Sequence, residues 1–183
     1  MAFQAQLPAP RQLLSKDPAI RAEEIRGQRL FEDLACSSCH MELPLLSTVF
    51  QEPNLYNRPG AIIPGDVEGT VQIELGAEPR DSPIVRAYSD LKRHNLCDAE
   101  VRHFCNEARK QDNVDTKLFL TAKLWDVASS APYGHRGDLR TLSAAILAHG
   151  GEARQQRESF LRLNESGKRA VIAFLRTLGR STE

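Results

Sequence analysis

Apolar side chains recur at helical spacing in three stretches of the chain. Ile20, Gly27, Leu30, Phe31 and Leu34 fall on one face of a helix expected over about 18–35. Asp17-Pro18 starts it, with Asp as N-cap and Pro at the first helical position. Leu142, Ala145, Ile146 and Ala148 mark a second helix over 142–149, capped by Thr141 and stopped by Gly150-Gly151. Val171, Phe174, Leu175 and Leu178, at i, i+3, i+4 and i+7, mark a third that Asn164 caps and Gly179 ends.

Between these helices the pattern fails. Residues 41–115 carry most of the prolines and glycines and predict one strand pair, Leu55–Asn57 with Val71–Leu75, across Pro59-Gly60 and Pro64-Gly65 turns. Tyr88–Phe104 supports short helical pieces at most. Leu118–Val127 is apolar-rich, and Ala131–Gly137 is a loop. Residues 1–16, with Pro8 and Pro10, read as an extended arm, leaving 17–183 as one domain with 41–115 as a loop-rich insertion. The expected fold is mainly α, with a short β-hairpin in the insertion.

Composition narrows the function classes. A chain of 183 residues is one domain's worth, and 41% apolar with 26% charged residues is ordinary for a globular protein. Twenty-four basic residues balance twenty-four acidic ones, which argues against nucleic acid as the partner. Apolar runs such as Ala170–Leu175 fall far short of the ~18 residues that span a bilayer, so no membrane span is expected. Residues 1–20 hold no unbroken apolar core of the signal-peptide kind, so the chain reads as trimmed or recombinant.

The chemistry concentrates in Cys36-Ser37-Ser38-Cys39-His40. C-x-x-C-H attaches c-type haem. Two cysteines one helical turn apart each form a thioether to a vinyl group of one porphyrin, and the next histidine is placed as proximal ligand. The competing readings are a redox Cys-x-x-Cys and half a zinc site completed by His94…Cys97 or His103…Cys105. The first expects a preceding strand, where this chain has a helical pattern.

Haem iron takes a second ligand or an open position, and methionine is common there. Met1 lies in the arm and Met41 directly follows His40, so neither reaches the opposite face. His94, His103, His135 and His149 remain, or no strong ligand. His94 and His103 sit among charges and read as solvated. His135 reads as ligand or loop brace. His149 ends an apolar helix beside two glycines and is favoured, against a plain helix C-terminal histidine. Water would be excluded by Phe31, Leu34, Leu139, Leu142 and Ile146, and Trp125 and Arg136 are candidates for hydrogen bonds to propionates.

Two stretches carry a resemblance. Gly27–Phe31 ahead of the C-x-x-C-H motif, with Ala170–Leu178, resembles the crossing first and last helices of class I cytochrome c domains, Gly27 meeting the aromatic Phe174. Leu124-Trp125, Pro132-Tyr133-Gly134-His135-Arg136-Gly137 and Ala145–Ala153 resemble the C-terminal haem domain of the dihaem cytochrome c peroxidase superfamily, in its dihaem and thiol oxidoreductase branch. There the distal ligand follows the loop histidine by fourteen residues, which falls on His149. The resemblance implies bis-histidine ligation by His40 and His149, with Tyr133 and His135 lining the site but not ligating. One motif stands where that superfamily has two.

These readings imply a relay carrying one covalent haem c, whose partner is a redox protein or a second haem domain. The rivals are a haem enzyme, peroxidase-like or thiol oxidoreductase, and the electron-transfer half of a larger dihaem oxidoreductase. Haem c attachment implies a periplasmic or secreted location. In that oxidising setting Cys97 and Cys105 are a possible disulfide; buried thiols or a cross-chain link fit as well. The basic segment Arg86–Arg109 is a candidate docking face, or an ordinary solvated one.

Overall fold

The computed structural model describes residues 11–44, 49–51, 72–74, 84–85, 87–110 and 113–179. Helices form its frame. Helix α1 spans Pro18–Asp33, and Asp17 Oδ1 accepts the amides of Ala19 (2.8 Å) and Ile20 (3.2 Å), as its N-cap position requires. Helix α2 spans Leu142–Leu147, where Thr141 Oγ1 accepts Ala144 N–H at 3.1 Å. Helix α3 spans Arg154–Arg162 and helix α4 Glu165–Thr177, the latter capped by Asn164 Oδ1 on Gly167 N–H at 2.8 Å.

The core forms where α1 crosses α4. A Cβ on Gly27 would lie 1.9 Å from the Ala170 carbonyl oxygen and 2.9 Å from Phe174 Cβ, so only glycine lets the backbones approach this closely. Ala170 and Phe174 are 0% exposed and Val171 1%. Full burial of side chains such as Phe174 and Val171 stabilises by roughly 1.5–3 kcal/mol each. Phe31 packs tilted against Phe174 with 5.2 Å between ring centres, and Tyr88 meets Phe174 edge-on at 6.1 Å. Arg26 fastens the crossing by donating to the Ser166 carbonyl and hydroxyl, both at 2.7 Å.

Short antiparallel pairs surround the frame. β1 (Arg11–Gln12) pairs with β8 (Leu178–Gly179) in register Arg11↔Gly179. β2 (Leu43–Pro44) pairs with β5 (Ile84–Val85), and β3 (Val49–Gln51) with β4 (Gln72–Glu74). β6 (Arg93–Asn95) pairs with β7 (Leu118–Leu120). Helices carry the core and sheets only tie segments together, so the fold is mainly α. Among the described residues no helix is long and apolar enough to cross a membrane.

Several expectations need correction. Ile20 is 50% exposed, and the buried stripe of α1 instead holds Glu24, Gly27 and Phe31. The Glu24 carboxylate is satisfied there by the Ser15 amide at 2.8 Å. The strand at 72–74 exists, but its partner is Val49–Gln51; residues 55–57 lie outside the described set. The last helix stops at Thr177 because Leu178 and Gly179 turn to pair with the arm, of which residues 1–10 lie outside the described set. Tyr88–Phe104 holds a strand as well as a 3-10 turn, His103–Cys105.

Candidate metal centre

The end of α1 delivers the C-x-x-C-H segment. Ala35 adopts a left-handed φ of 57°, turning the chain out of the helix into a 3-10 turn over Cys36–Ser38. The Cys36 carbonyl accepts the amides of Cys39 (3.4 Å) and His40 (3.0 Å), so both thiols and the imidazole project from one tight turn. Among the described residues Cys36 and Cys39 are the free cysteines. Burial pushes the Cys36 thiol up to about 11 and the Cys39 thiol upward, so both are held as thiols rather than thiolates.

His149 approaches from the opposite side, two residues beyond α2. Its ring centre lies 6.4 Å from that of His40. A metal–imidazole bond is ~2.0–2.1 Å, and with ~1.15 Å from nitrogen to ring centre an ion held in line between two imidazoles separates their centres by about 6.4 Å. The two rings stand at the spacing a single ion needs.

Tautomer and charge agree with that role. His40 Nδ1 faces the Tyr88 carbonyl at 3.0 Å, and His149 Nδ1 faces the Ala145 carbonyl at 2.7 Å. A carbonyl is only an acceptor, so each ring donates Nδ1–H and keeps its lone pair on Nε2, the arrangement metal-bound histidines use. Both residues are intermediate in exposure because they face a cavity, yet protein crowds their rings. This desolvation lowers His40 to about 4 and lowers His149, against the carbonyl contacts that raise them, so both are neutral and able to ligate.

The cavity between them has a volume of about 720 Å³, within the ~300–1,000 Å³ usual for cofactor sites. Phe31, Tyr133, Leu139, Leu142 and Ile146 line it with apolar surface, Cys36 and Cys39 stand at its wall, and His135 also borders it. Tyr133 is fixed by its hydroxyl on the Val127 carbonyl at 2.8 Å and by main-chain bonds to Leu139.

Not every expected residue is there. Leu34 packs against the helical core, and Trp125 and Arg136 lie outside the cavity lining. Trp125 sits under the Lys123 ammonium, 5.8 Å from ring centre, and exposed Arg136 donates to the Asn106 carbonyl. His135, 41% exposed, contacts Glu107 Oε2 at 2.8 Å and packs on Phe119, as a loop brace does. His103 faces Asp138 at 3.2 Å. Met41 is 40% exposed and away from the cavity.

His94 departs most from expectation. It is not solvated: its two ring nitrogens contact Glu152 Oε2 and Asp90 Oδ2, both at 2.8 Å, and its side chain is 18% exposed. Glu152 and Asp90 raise its pKa, favouring its charged form between them. Burial pushes Asp90 up, but the Lys92 amide and His94 outweigh this and hold it near about 2. Sequence reasoning missed this bracket because Glu152 lies 58 positions beyond His94.

The cleft is thus largely apolar and bordered by two neutral imidazoles, with two cysteines beside one of them, and has room for a cofactor. Residues 7–178 match the family described as "di-haem oxidoreductase, putative peroxidase", and the chain belongs to that family. Its cofactor is therefore haem and its chemistry oxidoreduction. Among curated proteins no match was found.

Proposed function

We propose that the chain is a class I-type cytochrome c domain that relays electrons through one haem, bound by Cys36 and Cys39 and ligated by His40 and His149. The observation that carries this reading is the 6.4 Å between the two imidazole centres across an apolar cavity. When bound, the haem supplies reversible one-electron exchange at iron. The protein's part is placement. The 3-10 turn sets His40 and both cysteines together, and the Tyr88 and Ala145 carbonyls fix which nitrogen of each histidine is free. Phe31, Leu139, Leu142 and Ile146 keep water from the ring faces. With His40 and His149 to hold the iron, and no methionine to raise the potential, the haem would serve as a low-potential relay.

The Cys97–Cys105 disulfide, with Cα atoms 4.9 Å apart, supports an oxidising, exported location, as haem c attachment does. A second reading, the electron-transfer half of a larger assembly, is favoured by a family named for two haems while this chain holds one C-x-x-C-H motif. In either case the partner is a redox protein or haem domain.

The test is spectroscopic. Protein denatured in acid-acetone is expected to retain one haem, and the folded ferric protein to be low-spin with negligible peroxide turnover. Extractable haem overturns covalent attachment. A high-spin resting state with fast peroxide turnover overturns the relay in favour of the enzyme.

A further inference from the structure

Helix α2 has six residues, fewer than the ~12–15 at which even favourable helices become marginal alone, and His149 lies beyond its end. Something else must hold that histidine. Three observations identify it as the loop that the Cys97–Cys105 disulfide closes.

First, the backbone just after His149 is pressed onto the segment leading into that loop. Gly150 N–H donates to the Leu96 carbonyl at 3.2 Å. Gly151 has a φ of +53°, and a Cβ there would lie 2.2 Å from the Asn95 carbonyl oxygen. Second, Asp98, inside the loop, reaches out to the same place. Its Oδ2 accepts Gly151 N–H at 2.6 Å and Arg154 Nε–H at 2.9 Å. Its Oδ1 accepts the Glu100 and Val101 amides at 2.9 and 2.7 Å, which folds the loop about the carboxylate. Third, Phe104, next to Cys105, stands perpendicular to the His149 ring with 6.4 Å between centres.

We propose that the Cys97–Cys105 loop is a clasp that positions His149, with Asp98 as its positioning residue, so that an intact clasp keeps the sixth iron position closed to small exogenous ligands. Opening the clasp frees the end of α2, and His149 leaves the line to His40 while the helical frame stays folded. The inference rests on His149 being the distal ligand, and the experiment separates the two.

Four holoprotein samples are compared with wild type: His149→Ala, Asp98→Asn, Cys97→Ser with Cys105→Ser, and wild type treated with a dithiol, alkylated and reoxidised at iron. In the last, the dithiol closes its own disulfide and gives two electrons and two protons to the Cys97–Cys105 bond, leaving two thiols to be capped. Each sample is read for ferric spin state, carbon monoxide association in the ferrous form, exchange of the Gly150 and Gly151 amides, and far-ultraviolet dichroism. With an intact helical signal, Asp98→Asn and both clasp-opened samples should gain a high-spin component, exchange these amides faster and bind carbon monoxide about tenfold faster or more, the scale at which outer supports of metal ligands act. Wild-type-like spin state and binding in all three, where His149→Ala alters both, overturns the clasp and leaves the ligand reading standing. Loss of helical signal together with ligation overturns it too, because the support would be global. An unaltered His149→Ala protein overturns the ligand reading, and the clasp with it.

Discussion

The two walls of the cavity are built by different means. The His40 wall grows out of sixteen residues of continuous helix, and His40 and both cysteines share one turn five residues long. Its support is chiefly the apolar core, α1 buried on α4 through Gly27 and Phe174, with the Tyr88 carbonyl on His40 Nδ1. The His149 wall hangs on a six-residue helix and is held by long-range polar contacts, a disulfide and the Glu152–His94–Asp90 bracket. One wall is part of the fold's foundation. The other is an attachment, and attachments open at lower free energy than cores do.

This contrast orders the expected effects. The largest belongs to the His40 side: changing both Cys36 and Cys39 to Ala should abolish covalent haem, so that denatured protein loses its Soret band altogether. Next is Gly27→Ala, which drives a methyl group into the Ala170 backbone; overpacking of this kind costs ~1–3 kcal/mol and occasionally more. With backbone as the clashing atom, the upper end is expected, read as a denaturant midpoint shift. His149→Ala, on the other wall, should leave that midpoint nearly unchanged while adding a high-spin component and admitting carbon monoxide. Equal destabilisation by Gly27→Ala and His149→Ala would erase the contrast.

The smallest expected effect sharpens it. Asp90 and Glu152 raise the His94 pKa above its ordinary 6.5. The charged form is therefore favoured by folding, and its contribution is fully present below about 6.5 and lost as pH rises through the raised value. Stability should decline over that window in wild type. His94→Gln, which keeps hydrogen bonding without titrating, should flatten the profile, as measured by denaturation at stepped pH.

Legibility in the sequence follows the same division. α1, α2 and α4 and their caps Asp17, Thr141 and Asn164 were readable, because an apolar stripe and a capping oxygen are local signals. α3 was not: Arg154–Arg162 buries Phe160 alone and has no side-chain cap, so it is a helix by virtue of what it packs on. Ile20 fitted the stripe yet faces solvent, since the α1–α4 crossing centres on Gly27, nearly two turns later. The C-x-x-C-H motif pointed to the site at once. His149 needed elimination and resemblance, and its supports at Asp98, His94 and Glu152 had no local signature, being brought together only by the folded loops.

One further feature bears on how this domain carries load. β1 and β8 lie antiparallel with Arg11 beside Gly179, so the chain enters and leaves through the same small seam. Tension applied through the two flanking ends would meet that seam's main-chain bonds one after another, as in opening a zip, rather than all at once in shear. The seam would part at low force, and tension would then pass to the Gly27–Ala170 crossing, where interlocked helices must slide together. A soft terminal seam ahead of a stiff crossing would give way before strain reaches the turn that holds His40.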